Sequence, residues 1–135
     1  MMFSKLALAA ASLALIAADA SAADKPSGPE GHGFDRNQCF YTRMADGFAA
    51  PDEHTLNVRV GVRDVYQFEM FGPCLDMDWA QRVALVSRSG SWICNGMDAE
   101  VISHATGLGR QRCMVRHMRK LTPEEIAALP KRAKP

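Results

Sequence analysis

Thioethers and imidazoles are the side chains here with the clearest capacity for chemistry. Residues 23–135 hold Met44, Met70, Met77, Met97, Met114 and Met118 together with His32, His54, His104 and His117, and soft sulfur ligands select Cu(I). Met114, His117 and Met118 form the one close group. On a strand, residues an even number apart share a face, so Met114 and Met118 would lie together with His117 opposite. The four histidines fall in a leader, at a strand start, in a loop and on the last strand. No two ligands sit at a spacing that preforms a site, so the expectation is a chain without metal or cofactor, its methionines filling core gaps.

Carboxylates offer a second chemistry. Asp76 with Asp78, and Asp98 with Glu100, stand two apart, which on a strand puts both on one face, as a glycosidase or cation site requires. Each pair falls at a turn or strand end, where solvated carboxylates are ordinary. Ser87, Ser89 and Ser91 lack the glycines of a nucleophile elbow, and no histidine is placed to serve them. No catalytic residue is assigned.

Arg110, Arg112, Arg116, Arg119 and Lys120 concentrate positive charge near the end of the chain. Such a face suits an anionic partner, but the expected role is plainer: a charged, solvated edge that discourages pairing with other sheets. Arg112 and Arg116 share parity with Met114, which leaves Cys113, Val115 and His117 to face the interior, His117 as a hydrogen-bonded core histidine.

Four cysteines remain, Cys39, Cys74, Cys94 and Cys113. None stands in the C-x-x-C spacing of zinc or redox sites. Widely spaced and even in number, they read as two disulfides. Three connectivities are open. Nested pairing, Cys39–Cys113 around Cys74–Cys94, is favoured because Cys39 opens the first strand and Cys113 lies in the last, which become neighbours when a barrel closes.

The disulfide reading depends on compartment, and the start of the chain supplies one. Lys5 precedes an apolar run from Leu6 to Ala18, and Ala20-Ser21-Ala22 offers small residues for cleavage. A run this short suits a secretory signal rather than a membrane span. Residues 1–22 are therefore expected as a signal peptide, and the protein as periplasmic or secreted without stable membrane insertion. The formal net charge of +1 gives no general case for nucleic acid.

The elements that must position these residues follow a two-residue period. Residues 23–36, rich in Gly and Pro, cannot bury enough surface to order themselves and are expected as a flexible leader. Leu56, Val58, Val60 and Val62 alternate with polar or small residues, and the same parity resumes at Tyr66, Phe68 and Met70. One strand that long would outrun so small a domain, so the chain must turn near Gly61 and Arg63-Asp64. A hairpin is favoured over a barrel corner because it spares Asp64 from burial. Gly72-Pro73 closes the second strand, and Asp76 caps one helical turn. Strands follow at Val83 to Ser87, Trp92 to Cys94 and, across an Asn95-Gly96 hairpin, Met97 to Ile102. The last strand runs from Gln111 to Met118. Thr122-Pro123-Glu124-Glu125 then spells a capping box with Leu121 and Ile126 as a staple, opening a helix that stops near Leu129. The folded unit is 37–130, followed by a basic tail at 131–135. The fold class is mainly β: a small antiparallel barrel or rolled sheet of six to seven strands, with one short C-terminal helix and two disulfides.

Cys39-Phe40-Tyr41, Arg63-Asp64-Val65-Tyr66, Gly72-Pro73-Cys74, Trp92-Ile93-Cys94-Asn95-Gly96-Met97-Asp98, Arg112-Cys113-Met114-Val115 and Leu121-Thr122-Pro123-Glu124-Glu125 together resemble a family of small exported proteobacterial proteins with four ordered cysteines, a C-terminal Leu-Thr-Pro-Glu-Glu segment and no assigned function. The resemblance covers residues 37–126 and implies compartment and fold, with no activity, cofactor or site residue attached. The functional expectation is a monomeric, non-enzymatic envelope protein that binds or scaffolds another envelope protein or a glycan. A small periplasmic hydrolase or a copper-handling protein is the alternative.

Overall fold

The computed structural model describes residues 38–135 apart from 81, 106 and 108. The expected signal segment, the leader and His32 lie outside these residues. Among the described residues there are eight strands: β1 (Phe40–Tyr41), β2 (Ala45–Ala49), β3 (Thr55–Val60), β4 (Asp64–Met70), β5 (Arg82–Ser87), β6 (Trp92–Ile93), β7 (Ala99–Ala105) and β8 (Gly109–Lys120), with helix α1 at Pro123–Ala128. Six of them form one antiparallel sheet in the order β2-β3-β4-β8-β7-β5. It rolls into a nearly closed barrel, while β1 and β6 pair apart as a two-stranded ribbon.

The hairpin at residues 61–63 is present, and Gly61 turns it with φ 63°, a conformation that favours glycine. Leu56, Val58 and Val60 on β3 and Tyr66, Phe68 and Met70 on β4 enter the core as their alternation requires. Val62 is in the turn instead, 91% exposed. Val101, Val115 and Met118 complete the interior from β7 and β8.

Short segments close the two ends. At the end nearest the β3–β4 turn, the ribbon lends Phe40, whose ring lies 4.7 Å from Tyr66 and 6.4 Å from Phe68. At the other end Met77, in a single helical turn over Met77–Trp79, is buried with Cys74. Asp76 precedes that turn in the left-handed region and its side chain makes no capping bond, so its expected role as a cap is not realised. Asn95-Gly96 likewise makes no two-residue hairpin. Asn95 Oδ1 accepts from the Asp98 N–H across a helical turn at Gly96–Asp98, and the following strand pairs with β5 and β8 rather than β6.

The disulfides are Cys39–Cys94 and Cys74–Cys113, not the nested pairs expected. The barrel is not closed by the segment after Cys39. That segment leaves the sheet to pair with β6 in the register Tyr41–Trp92 and Phe40–Ile93, and the next step of that ladder is Cys39 opposite Cys94. Cys74, in the segment that plugs the other end, meets Cys113 on β8. Two such cross-links fit an oxidising, non-cytoplasmic compartment. No helix among the described residues is long and apolar enough to cross a membrane.

The C-terminal segment packs on the outer face of β3, β4 and β8. The capping box of α1 forms as expected: Thr122 Oγ1 accepts from the Glu125 N–H, and Glu125 Oε2 accepts from the Thr122 N–H. A row of polar side chains runs beneath it. Arg119 donates to Glu125 at 2.7 Å and to Gln67 at 3.1 Å, Gln67 donates to Asn57 at 3.2 Å, and Asn57 donates to the Ala133 carbonyl at 2.8 Å. Asn57 is fully buried. Its two bonds satisfy a polar group that would otherwise be costly to enclose, and they hold residues 131–133 against the sheet.

Candidate functional site

The side chains singled out for chemistry are dispersed by the fold. Ser87 Oγ donates to the Trp92 carbonyl at 2.6 Å and accepts from the Ser89 N–H, so it braces its own turn. Asp98 accepts from the Cys94 N–H. Glu100 pairs with Arg112 at 3.3 Å. Asp76 is exposed beside the barrel plug, where its N–H donates to Glu53. Among the described residues, no group of three His, Cys, Asp or Glu side chains is placed to hold a metal ion.

The methionine–histidine group is separated by a β-bulge. Register between β4 and β8 slips between the pairs Glu69–His117 and Met70–Val115, leaving Arg116 as the extra residue. Parity therefore changes there. Met114 stays outside at 46% exposure while Met118 turns in at 5%, so the two do not share a face. His117, expected inside, stands opposite Glu69 on the outer side.

The basic strand is not an edge, as expected, but sits between β4 and β7. Its charges are largely met: Arg112 by Glu100, Arg116 by Glu69, Arg119 by Glu125 and Lys120 by Asp64. Lys120 also lies over the Tyr66 ring. Burial pushes the Tyr66 phenol above its ordinary value, and the hydrogen bond to Asp64 raises Lys120. Both shifts lead away from neutrality, where an acid or base catalyst is most effective.

Two arginines and a histidine stand in one row apart from these pairs. Arg82 on β5, His104 on β7 and Arg110 on β8 are direct cross-strand partners in one row, and no ion pair within 4 Å joins any of them to a carboxylate of the described residues. Among the described residues the row carries the positive charge of Arg82 and Arg110 without a paired carboxylate, and it begins at the edge strand β5.

A concave feature lies beside that edge. With six antiparallel strands, the end strands β2 and β5 run in opposite directions and do not pair with each other. Between them opens a cavity of about 270 Å³ lined by Thr42, Ala45, Asp46, Gly47, Phe48, Leu56, Val58, Val83, Ala84 and Leu85. Ala45, Leu56, Val58, Val83 and Leu85 give it an apolar wall. Phe48 and Val86 are exposed along the two edges. Asp46 is engaged by Arg59 at 2.8 Å.

The backbone of β5 is the other half of this site. Arg88, one step beyond the Ser87–Ala99 pair, donates its N–H to the Asp98 carbonyl at 2.7 Å. N–H and C=O groups alternate sides along a strand, so those of Arg82, Ala84 and Val86 point toward β7 and those of Val83, Leu85 and Ser87 toward the gap. Sequence reasoning identified β5 but missed β2, whose Ala-Asp-Gly-Phe-Ala carries only a faint alternation. It therefore could not see that two edges face each other.

A model described as "Family of unknown function (DUF6491)" matches residues 1–135, and the chain belongs to that family. No curated protein and no solved structure matches it.

Proposed function

We propose that this member of the family is a non-enzymatic binding module of the cell envelope, and that it binds through the gap between β2 and β5. The single observation that carries the reading is the seam itself, unpaired among the described residues. A barrel one strand pairing short of closure leaves a row of backbone donors and acceptors beside an apolar wall, and unpaired edges are what proteins usually blunt with charge or proline. Between Arg82 and Ser87 the edge of β5 is Val-Ala-Leu-Val, with neither device. Export to the periplasm or beyond accords with the two disulfides.

Site-specific photo-crosslinking in envelope extract tests this. A photoreactive phenylalanine analogue at Phe48 should yield a discrete adduct, and the same group at Met114, exposed on β8 at least one strand removed from either edge, should not. Adducts of equal yield at both positions, or at neither, would contradict binding through the seam.

A further inference from the structure

We infer that the open edge of β5 receives an extended polypeptide strand with acidic side chains on its outward face. The inference rests on the proposed binding role of the seam and names its occupant. Three N–H and C=O sets on β5, those of Val83, Leu85 and Ser87, face the gap, and only another backbone in extended form offers the matching alternation of donors and acceptors. The side chains of such a strand would alternate between two surroundings. Those facing inward meet Leu56, Val58, Val83 and Leu85 across the cavity and must be apolar and modest in size. Those facing outward extend the rows of the outer surface.

Charge selects the second set. The row nearest the start of β5 is Arg82, His104 and Arg110, with no carboxylate in it. A carboxylate on the added strand opposite Arg82 would give that guanidinium an opposite charge as its direct cross-strand neighbour, a favourable pairing. Two carboxylates that flank β5 and the gap are engaged elsewhere. Glu100 is held by Arg112, and Asp46 is held by Arg59 toward the other end of the gap, because β2 and β5 run oppositely. A basic strand would meet like charge at Arg82.

The test is an NMR titration of the full chain with three short capped peptides: valine alternating with glutamate, valine alternating with lysine, and the glutamate peptide N-methylated at alternate residues. The glutamate peptide should shift the amides of Val83, Leu85 and Ser87 and bind about threefold more tightly than the lysine peptide. The N-methylated peptide should bind at least about fivefold more weakly, having lost backbone hydrogen bonds. Arg82→Glu should reverse the charge preference. Leu85→Pro removes an N–H that faces the gap while leaving the β7 ladder intact, and should weaken the glutamate peptide about fivefold. If that variant does not fold, the N-methylated peptide reports the same bonds from the partner's side. Equal binding of the glutamate and lysine peptides would overturn the acidic preference. No amide shifts with any peptide, while the Phe48 adduct persists, would overturn strand addition and leave the binding role standing. A dimer that Leu85→Pro dissolves would give the edge to a second copy and overturn the inference too.

Discussion

Glu125 and Gly96 show how single residues fix the elements around them. The Thr122 N–H, and after it the Arg119 guanidinium, hold the Glu125 carboxyl below its usual range. A carboxylate favoured in this way contributes stability that is present above its unfolded-state value and lost as pH falls through the folded one. Thermal melts of the wild type and Glu125→Gln should therefore differ at neutral pH and converge on acidification through and below the carboxylate range. A gap that persists in acid would mean the carboxylate's charge is not what the cap uses. Gly96 is constrained by space: a Cβ there would meet the His117 backbone at 2.8–2.9 Å. Gly96→Ala should cost about 1–3 kcal/mol in urea unfolding, and an unchanged midpoint would show that the turn over β8 yields freely. The capping box was legible in the sequence because it is written in consecutive residues. The closeness of Gly96 to His117 was not, since it joins segments far apart in the chain.

Elements with a strong period were also legible, and those defined by partners were not. The β3–β4 hairpin follows from alternation broken at Gly61, and Asp64 escapes burial by pairing with Lys120 at 2.7 Å. The bulge at Arg116 leaves no such mark. It reverses the facing of His117 and Met118, because strand parity read from a sequence assumes an unbroken ladder. Disulfide pairing failed for a related reason: the short β1 joins β6 instead of the sheet, and two residues carry too little pattern to announce that. Peptide mapping without reduction should yield Cys39–Cys94 and Cys74–Cys113, and a Cys39–Cys113 peptide would contradict the ribbon. Each bridge closes a loop of 55 or 39 residues, which is worth about 4 kcal/mol by chain entropy. Replacing Cys74 and Cys113 by serine should therefore lower stability by several times the cost of a surface substitution.

For the whole molecule, the consequence that matters is incomplete closure. Hydrophobic alternation specified a rolled antiparallel sheet, but whether a barrel's first and last strands meet depends on curvature and register summed over every pair. That sum is invisible residue by residue. The candidate site is formed by the gap, with the reactive-looking side chains dispersed into turns, ion pairs and the core. Residue-resolved amide hydrogen exchange on the free protein tests this most directly. The gap predicts an alternating pattern on β5, with the Ala84 and Val86 amides protected by β7 and those of Val83 and Leu85 exchanging rapidly. Uniform protection of all four would mean that β2 and β5 are hydrogen-bonded, and a closed barrel would contradict the account.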